Sequence, residues 1–289
     1  MNESIFVNIA SYKDSDLIPT IDDLYTRAAQ PERVFVGVFL QDTPQATIDV
    51  LSILKGHPYR NNMFLQTIDA NKAKGCGWAR NVISKHLYGG QDYFMCVDSH
   101  SRFLNNWDTT YIDIYKNAPE NAVISVFPQS FDFHQSYEQY TKRNIATIYT
   151  PHELPWTSAF NKPHCQRHPK MAYERVNQIS GGNIFGDNRL AEAITLDDYT
   201  FKHNQEQEIY SLLIYLHGLD LYAIPQNIVW HKYITTDTYR ELFQPRDIEY
   251  RLNFLQDLEY KQKDRTIKDW VALIQADCDA CKKTKQFNS

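Results

Sequence analysis

No uncharged apolar run in the 289 residues approaches the ~18–20 that a membrane-spanning helix needs, which excludes a transmembrane helix within them. Positive charge is short: 30 Lys and Arg stand against 35 Asp and Glu, a net charge of −5, and no basic block stands out. Nucleic acid is therefore not an expected partner. Met1-Asn2-Glu3-Ser4 lacks a basic segment followed by a long apolar region and does not read as a signal peptide. Cysteine is sparse, odd in number and scattered, at Cys76, Cys96, Cys165, Cys278 and Cys281. That pattern reads as a reduced, cytoplasmic protein rather than a disulfide framework. Cys278-x-x-Cys281 has no second pair and reads as structural or incidental. No linker and no internal repeat divides the chain.

What is present suffices for a full core. The chain is 43% apolar and 13% aromatic, enough for one large α/β domain or a domain with an appendage. Nineteen Tyr and five Trp exceed what a core alone requires. Aromatic faces are platforms for sugar rings, and they also stack on one another.

Apolar runs at Ile5 to Ala10, Val34 to Leu40, Met63 to Ile68 and Tyr93 to Val97 read as buried strands. Helical spacing separates them. Asp14 or Ser15 is placed to cap a helix reaching Ala29, with Leu17, Ile18, Ile21 and Leu24 on one face. A second helix is expected over Thr43 to Leu54 and a third over Trp78 to Leu87, stopped by Gly89-Gly90. This β-α-β-α-β-α-β order argues for a parallel sheet with helices on both faces. Further on, Trp107 to Lys116 reads as a helix and Ala122 to Phe127 as a strand. The next fifty residues are loop-rich, with His134, His152, His164 and His168 at no regular ligand spacing. Ile179 to Gly186 contains Gly181-Gly182, either a hairpin turn or a close backbone approach to a bound group. Glu206 to His217 reads as a helix closed by Gly218, followed by short strands at Leu221 to Ile224 and Ile228 to Trp230. From about Thr238 the chain is charged and helical to its end.

The chemistry concentrates after the fourth strand, at Asp98-Ser99-His100. Asp after a strand is commonly a turn former or a cap. Here an imidazole follows two residues later, and both can lean onto one cation. Oxygen and nitrogen ligands in an open site suit Mn²⁺ or another divalent ion. Ligands of open α/β sheets collect at the carboxyl ends of strands, which fits the position.

Val97-Asp98-Ser99-His100-Ser101-Arg102-Phe103, followed by Trp107-Asp108, resembles the signature of glycosyltransferase family 60. Those enzymes are N-acetylglucosaminyltransferases that modify hydroxyproline on a cytoplasmic ubiquitin-ligase adaptor, together with bacterial relatives. Ile5 to Leu17, Val36 to Gln41, Gly75 to Arg80 and His217-Gly218 with Pro225 resemble further family segments in the same order. The resemblance covers most of the first 235 residues; the tail beyond about residue 240 carries none. It implies a GT-A fold, a Rossmann-like nucleotide-sugar-binding sheet with flanking helices, over residues 1–236. A helical extension over 237–289 would pack on it or on a partner subunit.

The similarity extends to polypeptide N-acetylgalactosaminyltransferases, whose Asp-x-His and later His hold Mn²⁺ on the donor diphosphate. It implies metal ligation by Asp98, His100 and His231, with Mn²⁺ or Mg²⁺ and a UDP-sugar as cofactor and donor. Ser11, Tyr12 and Asp14 fall where such enzymes hold uridine, Tyr12 stacking on the base and Asp14 accepting from ribose or base. Ser99, Gly181 and Gly182 are further candidates for the donor site. Arg80 is placed to add fixed positive charge near the diphosphate or the Asp98 loop. Arg102 is read as orienting Asp98. Glu206 or Glu208 fills the family's acidic position, and the sequence does not choose between them. Trp107, Trp156 and Phe160 are candidates for a sugar or acceptor wall. The implied activity is retaining transfer of GlcNAc, or a related hexosamine, to a hydroxyl of a protein or glycan. A metal-dependent nucleotide or phosphoester hydrolase and a non-catalytic sugar-nucleotide-binding module use the same residues and are the competing readings.

Overall fold

The computed structural model describes residues 3–132, 134–151, 164–196, 206–233 and 265–286. Strands and helices alternate through the first third: β1 (Ile5–Tyr12), α1 (Leu17–Arg27), β2 (Val34–Asp42), α2 (Pro44–Lys55), β3 (Met63–Asp69), α3 (Cys76–His86) and β4 (Tyr93–Asp98). β1 to β4 are parallel to one another, in the order β4-β1-β2-β3. The expected parallel unit is present. Its central strands lack polar alternation because both faces are covered; Phe6, Val7, Ile9, Phe94, Met95 and Val97 are all fully buried. Asn8 is the polar interruption in β1, and its amide donates to the Arg80 carbonyl at 2.9 Å. α1 buries Leu17, Thr20, Ile21, Leu24 and Tyr25, one face of a 3.6-residue period.

The remainder contains β5 (Ser101–Phe103), α4 (Trp107–Lys116), β6 (Ala122–Ser125), β7 (Gln129–Ser130), α5 (Tyr137–Tyr140), β8 (Ile148–Pro151), β9 (His164–Arg167), β10 (Glu174–Arg175) and β11 (Asn183–Asp187). After these come α6 (Asn188–Ala193), α7 (Glu206–Leu216), β12 (Asp220–Ala223), β13 (Val229–His231) and α8 (Ile267–Gln286). Among the described residues the main sheet has eight strands, ordered β10-β12-β6-β11-β4-β1-β2-β3. It is mixed, not parallel throughout. β11 runs antiparallel between β4 and β6, and β10 antiparallel to β12. A second sheet of three short strands, β5-β13-β7, lies after the end of β4. β5 was not expected, since Ser101-Arg102-Phe103 contains only one apolar residue.

The tail helix joins the common core through Trp270, Ile274 and Cys278, spaced four apart. Arg265, just before it, donates to the carbonyls of Tyr215 and Leu219 at 3.3 and 3.0 Å, satisfying the end of α7. Of the amphipathic stretch expected over Tyr239 to Trp270, residues 239–264 lie outside the described residues. Cys281 is disulfide-bonded, which corrects the reading of an entirely reduced set, whereas the buried Cys96 is a free thiol. No described helix is long and apolar enough to cross a membrane.

Candidate metal and donor site

β4 ends at Asp98, and the chain turns immediately into β5. The buried hydroxyl of Thr20, on α1, fixes that turn. It donates toward the carbonyls of Ser99 and Ser101 at 2.8 and 3.2 Å and accepts from the Ser101 amide at 3.0 Å. β5 then pairs antiparallel with β13, placing Ser101 opposite His231. His100, one residue before the ladder, therefore meets His231 although 131 positions separate them.

Three ligand atoms converge. His231 Nε2 is 3.0 Å from Asp98 Oδ2 and 3.0 Å from His100 Nε2. The Asp98, His100 and His231 donors all lie within 4.8 Å of one another. The three residues named for a metal from the sequence are thus brought together. The donor chemistry fits a divalent cation: one carboxylate oxygen and two imidazole nitrogens turned to a common point. The surrounding space is shaped for that carboxylate. A Cβ added at Gly182 would lie 2.6 Å from Asp98 Oδ2 and 3.5 Å from the His231 ring. Gly181 and Gly182 form the turn before β11, as the hairpin reading expects.

Arg80 donates from Nη2 to Asp98 Oδ1 at 2.5 Å, and its side chain is 1% exposed. It grips the oxygen turned away from the histidines and leaves Oδ2 to them. Of its two expected positions, beside the diphosphate or beside the Asp98 loop, the second is found. Burial works against the Asp98 anion, yet the charges of Arg80, His231 and His100 outweigh it and hold this carboxyl well below the usual range.

Asp14 is not a helix cap. The N-cap of α1 is Asp16, and Asp14 Oδ2 instead accepts from Ser99 Oγ at 2.5 Å and lies 2.7 Å from His100 Nδ1. Burial opposes its ionisation, but the contacts with His100 and Ser99 prevail and its pKa is lowered. The same pairing acts on His100. Burial disfavours its cation, and Asp14 and Asp98 together outweigh that and raise its pKa. Ser99 is therefore buried and engaged with Asp14. Ser11, fully buried at the end of β1, has a hydroxyl with no hydrogen-bond partner among the described residues. Tyr12 beside it is partly exposed.

Several expectations are corrected. Arg102 does not orient Asp98; it pairs with Asp16 at 3.2 Å and lies over the Phe131 ring. Trp107 lines no pocket, being fully buried with its indole N–H donating to the Leu24 carbonyl at 2.9 Å. Trp156 and Phe160 lie outside the described residues, as does the side chain of Glu206. At the start of α7 the residue against the site is Gln207, whose side chain would meet a Cβ at Gly181 at 3.3 Å, beside Arg80. Glu208, the next residue of the helix, is half-buried. Gln207 was not singled out in the sequence, where it stands between two acidic residues.

Comparison with known proteins agrees with the architecture. S. aureus TarS 1–349, solved in complex with UDP-GlcNAc, superposes with a TM-score of 0.58 at 13% identity, over 92% of this chain and 69% of that one. GalNAc-T7, solved with UDP, GalNAc and Mn²⁺, superposes with a TM-score of 0.64 at 13% identity, over 96% of this chain. This chain spans 57% of the GalNAc-T7 chain. No protein with a curated description matches the sequence. The fold is that of the GT-A glycosyltransferases, with a large mixed sheet flanked by helices. The chain belongs to the glycosyltransferase (GlcNAc) family, whose model matches residues 4–58 and 54–286. That match runs through α8, past the point near residue 240 where the resemblance read from the sequence ends.

Proposed function

We propose that this enzyme transfers GlcNAc, or a related hexosamine, from a UDP-sugar to a hydroxyl of a protein or glycan acceptor, with retention of configuration. The observation that carries the reading is the convergence of Asp98 Oδ2, His100 Nε2 and His231 Nε2 at the end of β4. Those three residues would hold Mn²⁺ or Mg²⁺. When bound, the cation supplies Lewis-acid stabilisation of the charge that grows on the departing diphosphate. Arg80 keeps Asp98 ionised and aims one oxygen into the cradle. Gly181 and Gly182 keep the space before it free of side chains.

Ser11 and Tyr12 are assigned to the uridine side, at the carboxyl end of β1, where ligands of α/β sheets collect. Gln207, beside Gly181, is assigned to the sugar hydroxyls, and Glu206 or Glu208 to orienting the acceptor. In the retaining reaction the acceptor oxygen bonds to the anomeric carbon as the bond to phosphate breaks. Its proton passes to the leaving phosphate oxygen, so no separate strong base is required. We assign residues 1–236 to the transferase domain, 237–289 to an extension packed on it, and the chain to a family 60-like enzyme of the cytoplasm.

The test is UDP release from UDP-GlcNAc and UDP-GalNAc with a panel of hydroxyl acceptors, with and without Mn²⁺. The proposal expects release that depends on acceptor and stops with chelator. Free sugar or UMP formed regardless of acceptor would identify a hydrolase. Calorimetric donor binding with no turnover on any acceptor would identify a binding module.

A further inference from the structure

The structure assigns Asp14 to a role other than nucleotide binding: we infer that it is a positioning residue for the cation, acting through His100. The inference rests on the metal site proposed above. His100 presents its two nitrogens to two different places. Nδ1 lies 2.7 Å from Asp14 Oδ2, and Nε2 lies 3.0 Å from His231 Nε2 in the cradle. A hydrogen bond from Nδ1–H to a carboxylate selects the tautomer whose Nε2 carries the free lone pair. It also fixes the ring plane and raises the basicity of Nε2 as a ligand.

Asp14 is itself fixed. Ser99 Oγ donates to the same Oδ2, and Asp14 Oδ1 accepts from the Asp16 amide at 2.9 Å. Its side chain is 6% exposed. A carboxylate so enclosed, with one oxygen on an imidazole and the other on backbone, is poorly placed to reach a ribose. Lys13, at φ 47°, turns the chain sharply after β1 and brings Asp14 back over β4. His231 is held differently. Its Nδ1 is buried with no hydrogen-bond partner among the described residues, and the Tyr233 ring packs against it edge-on at 4.3 Å between centroids. The two imidazoles are thus unequal, His100 being set by a carboxylate and His231 by packing and the β5–β13 ladder.

The experiment is Mn²⁺ binding to the donor-free full-length protein by electron paramagnetic resonance, with ¹⁴N modulation read on the bound ion. Asp14→Asn keeps an acceptor at the same place without the charge and is expected to weaken Mn²⁺ about tenfold; Asp14→Ala is expected to approach a hundredfold and to lose one of two ¹⁴N couplings. Asp16→Asn removes an equal charge two positions away, at a residue paired with Arg102 rather than His100. It is expected to change Mn²⁺ affinity less than about threefold, because its charge is already taken up by the Arg102 guanidinium and it touches no ligand imidazole. UDP affinity in chelator should be the same in wild type and both Asp14 variants, with unfolding temperatures confirming that each is folded. Unchanged Mn²⁺ affinity in Asp14→Ala overturns the inference, as does equal weakening by Asp16→Asn. Loss of UDP affinity in chelator returns Asp14 to the nucleotide. Wild-type protein that binds no Mn²⁺ overturns the metal site itself, an outcome read without any variant.

Discussion

Ser101 lies directly opposite His231 in the ladder between β5 and β13, and that single register brings two imidazoles together from distant parts of the chain. Shifting the pairing by one residue would send His231 to the other face of its strand. The cation cradle is therefore a property of strand pairing as much as of the three side chains. The predictions that follow all bear on how that cradle is built and kept.

Removing Asp98 should remove turnover. Asp98→Ala takes away the charged ligand and leaves Arg80 buried beside an empty space. Metal-dependent UDP release is expected to fall about a hundredfold or more, the equivalent of roughly 3 kcal/mol of lost transition-state stabilisation. Wild-type rates in this variant would show that the metal assignment is wrong.

Gly182→Ala should damage activity without unfolding the protein. The new methyl would press against Asp98 Oδ2 from 2.6 Å, a distance no Cβ tolerates, so the carboxylate must rotate out of the cradle. Gly181→Ala meets flexible Gln207 atoms at 3.3 Å and should be milder. Assaying both for UDP release and Mn²⁺ affinity gives the order. If Gly181→Ala proves the more damaging, the assigned geometry of the turn is incorrect.

Arg80 should matter to stability as well as to rate. Its guanidinium is buried against Asp98, and truncating one partner of such a pair strands the other. Arg80→Met is expected to cost about 3–5 kcal/mol in urea unfolding. Arg80→Lys should not rescue it fully, since an ammonium cannot reproduce the planar fork. A loss below about 1 kcal/mol would mean that Asp98 is adequately solvated without Arg80.

The docking of α8 should weaken as pH rises. Burial lifts the Asp277 pKa above 3.8, with Asn177, which donates to it at 2.9 Å, and Arg167 offsetting only part. The folded state then holds this proton more tightly than the unfolded chain does. The associated stability is fully present below the unfolded pKa and is lost as pH climbs through the raised folded value. Asp277→Asn cannot lose a proton, so its unfolding temperature should gain on wild type as pH rises above the usual carboxylate range. Parallel curves for the two proteins across that range would refute the assignment.

Much of the first half was readable because its signals are local. The runs that became β1 to β4 and the spacing of Leu17, Ile21 and Leu24 depend on neighbours a few residues away. Asp98 and His100 were visible for the same reason, two residues apart at a strand end. His231 required a resemblance, because nothing near it in the sequence marks it as a ligand.

Composition and periodicity by themselves determined an α/β chain with a parallel four-strand unit and a carboxylate and imidazole at its exit. Tertiary structure alone decided that β11 would enter the sheet in reverse, that Asp14 would turn back onto His100, and that Gln207 would lie against the glycines. Hydrophobic pattern fixes which face of an element is buried, a constraint acting over one or two turns. Which elements become neighbours depends on closing loops of tens to more than a hundred residues, and no short stretch of sequence records that outcome.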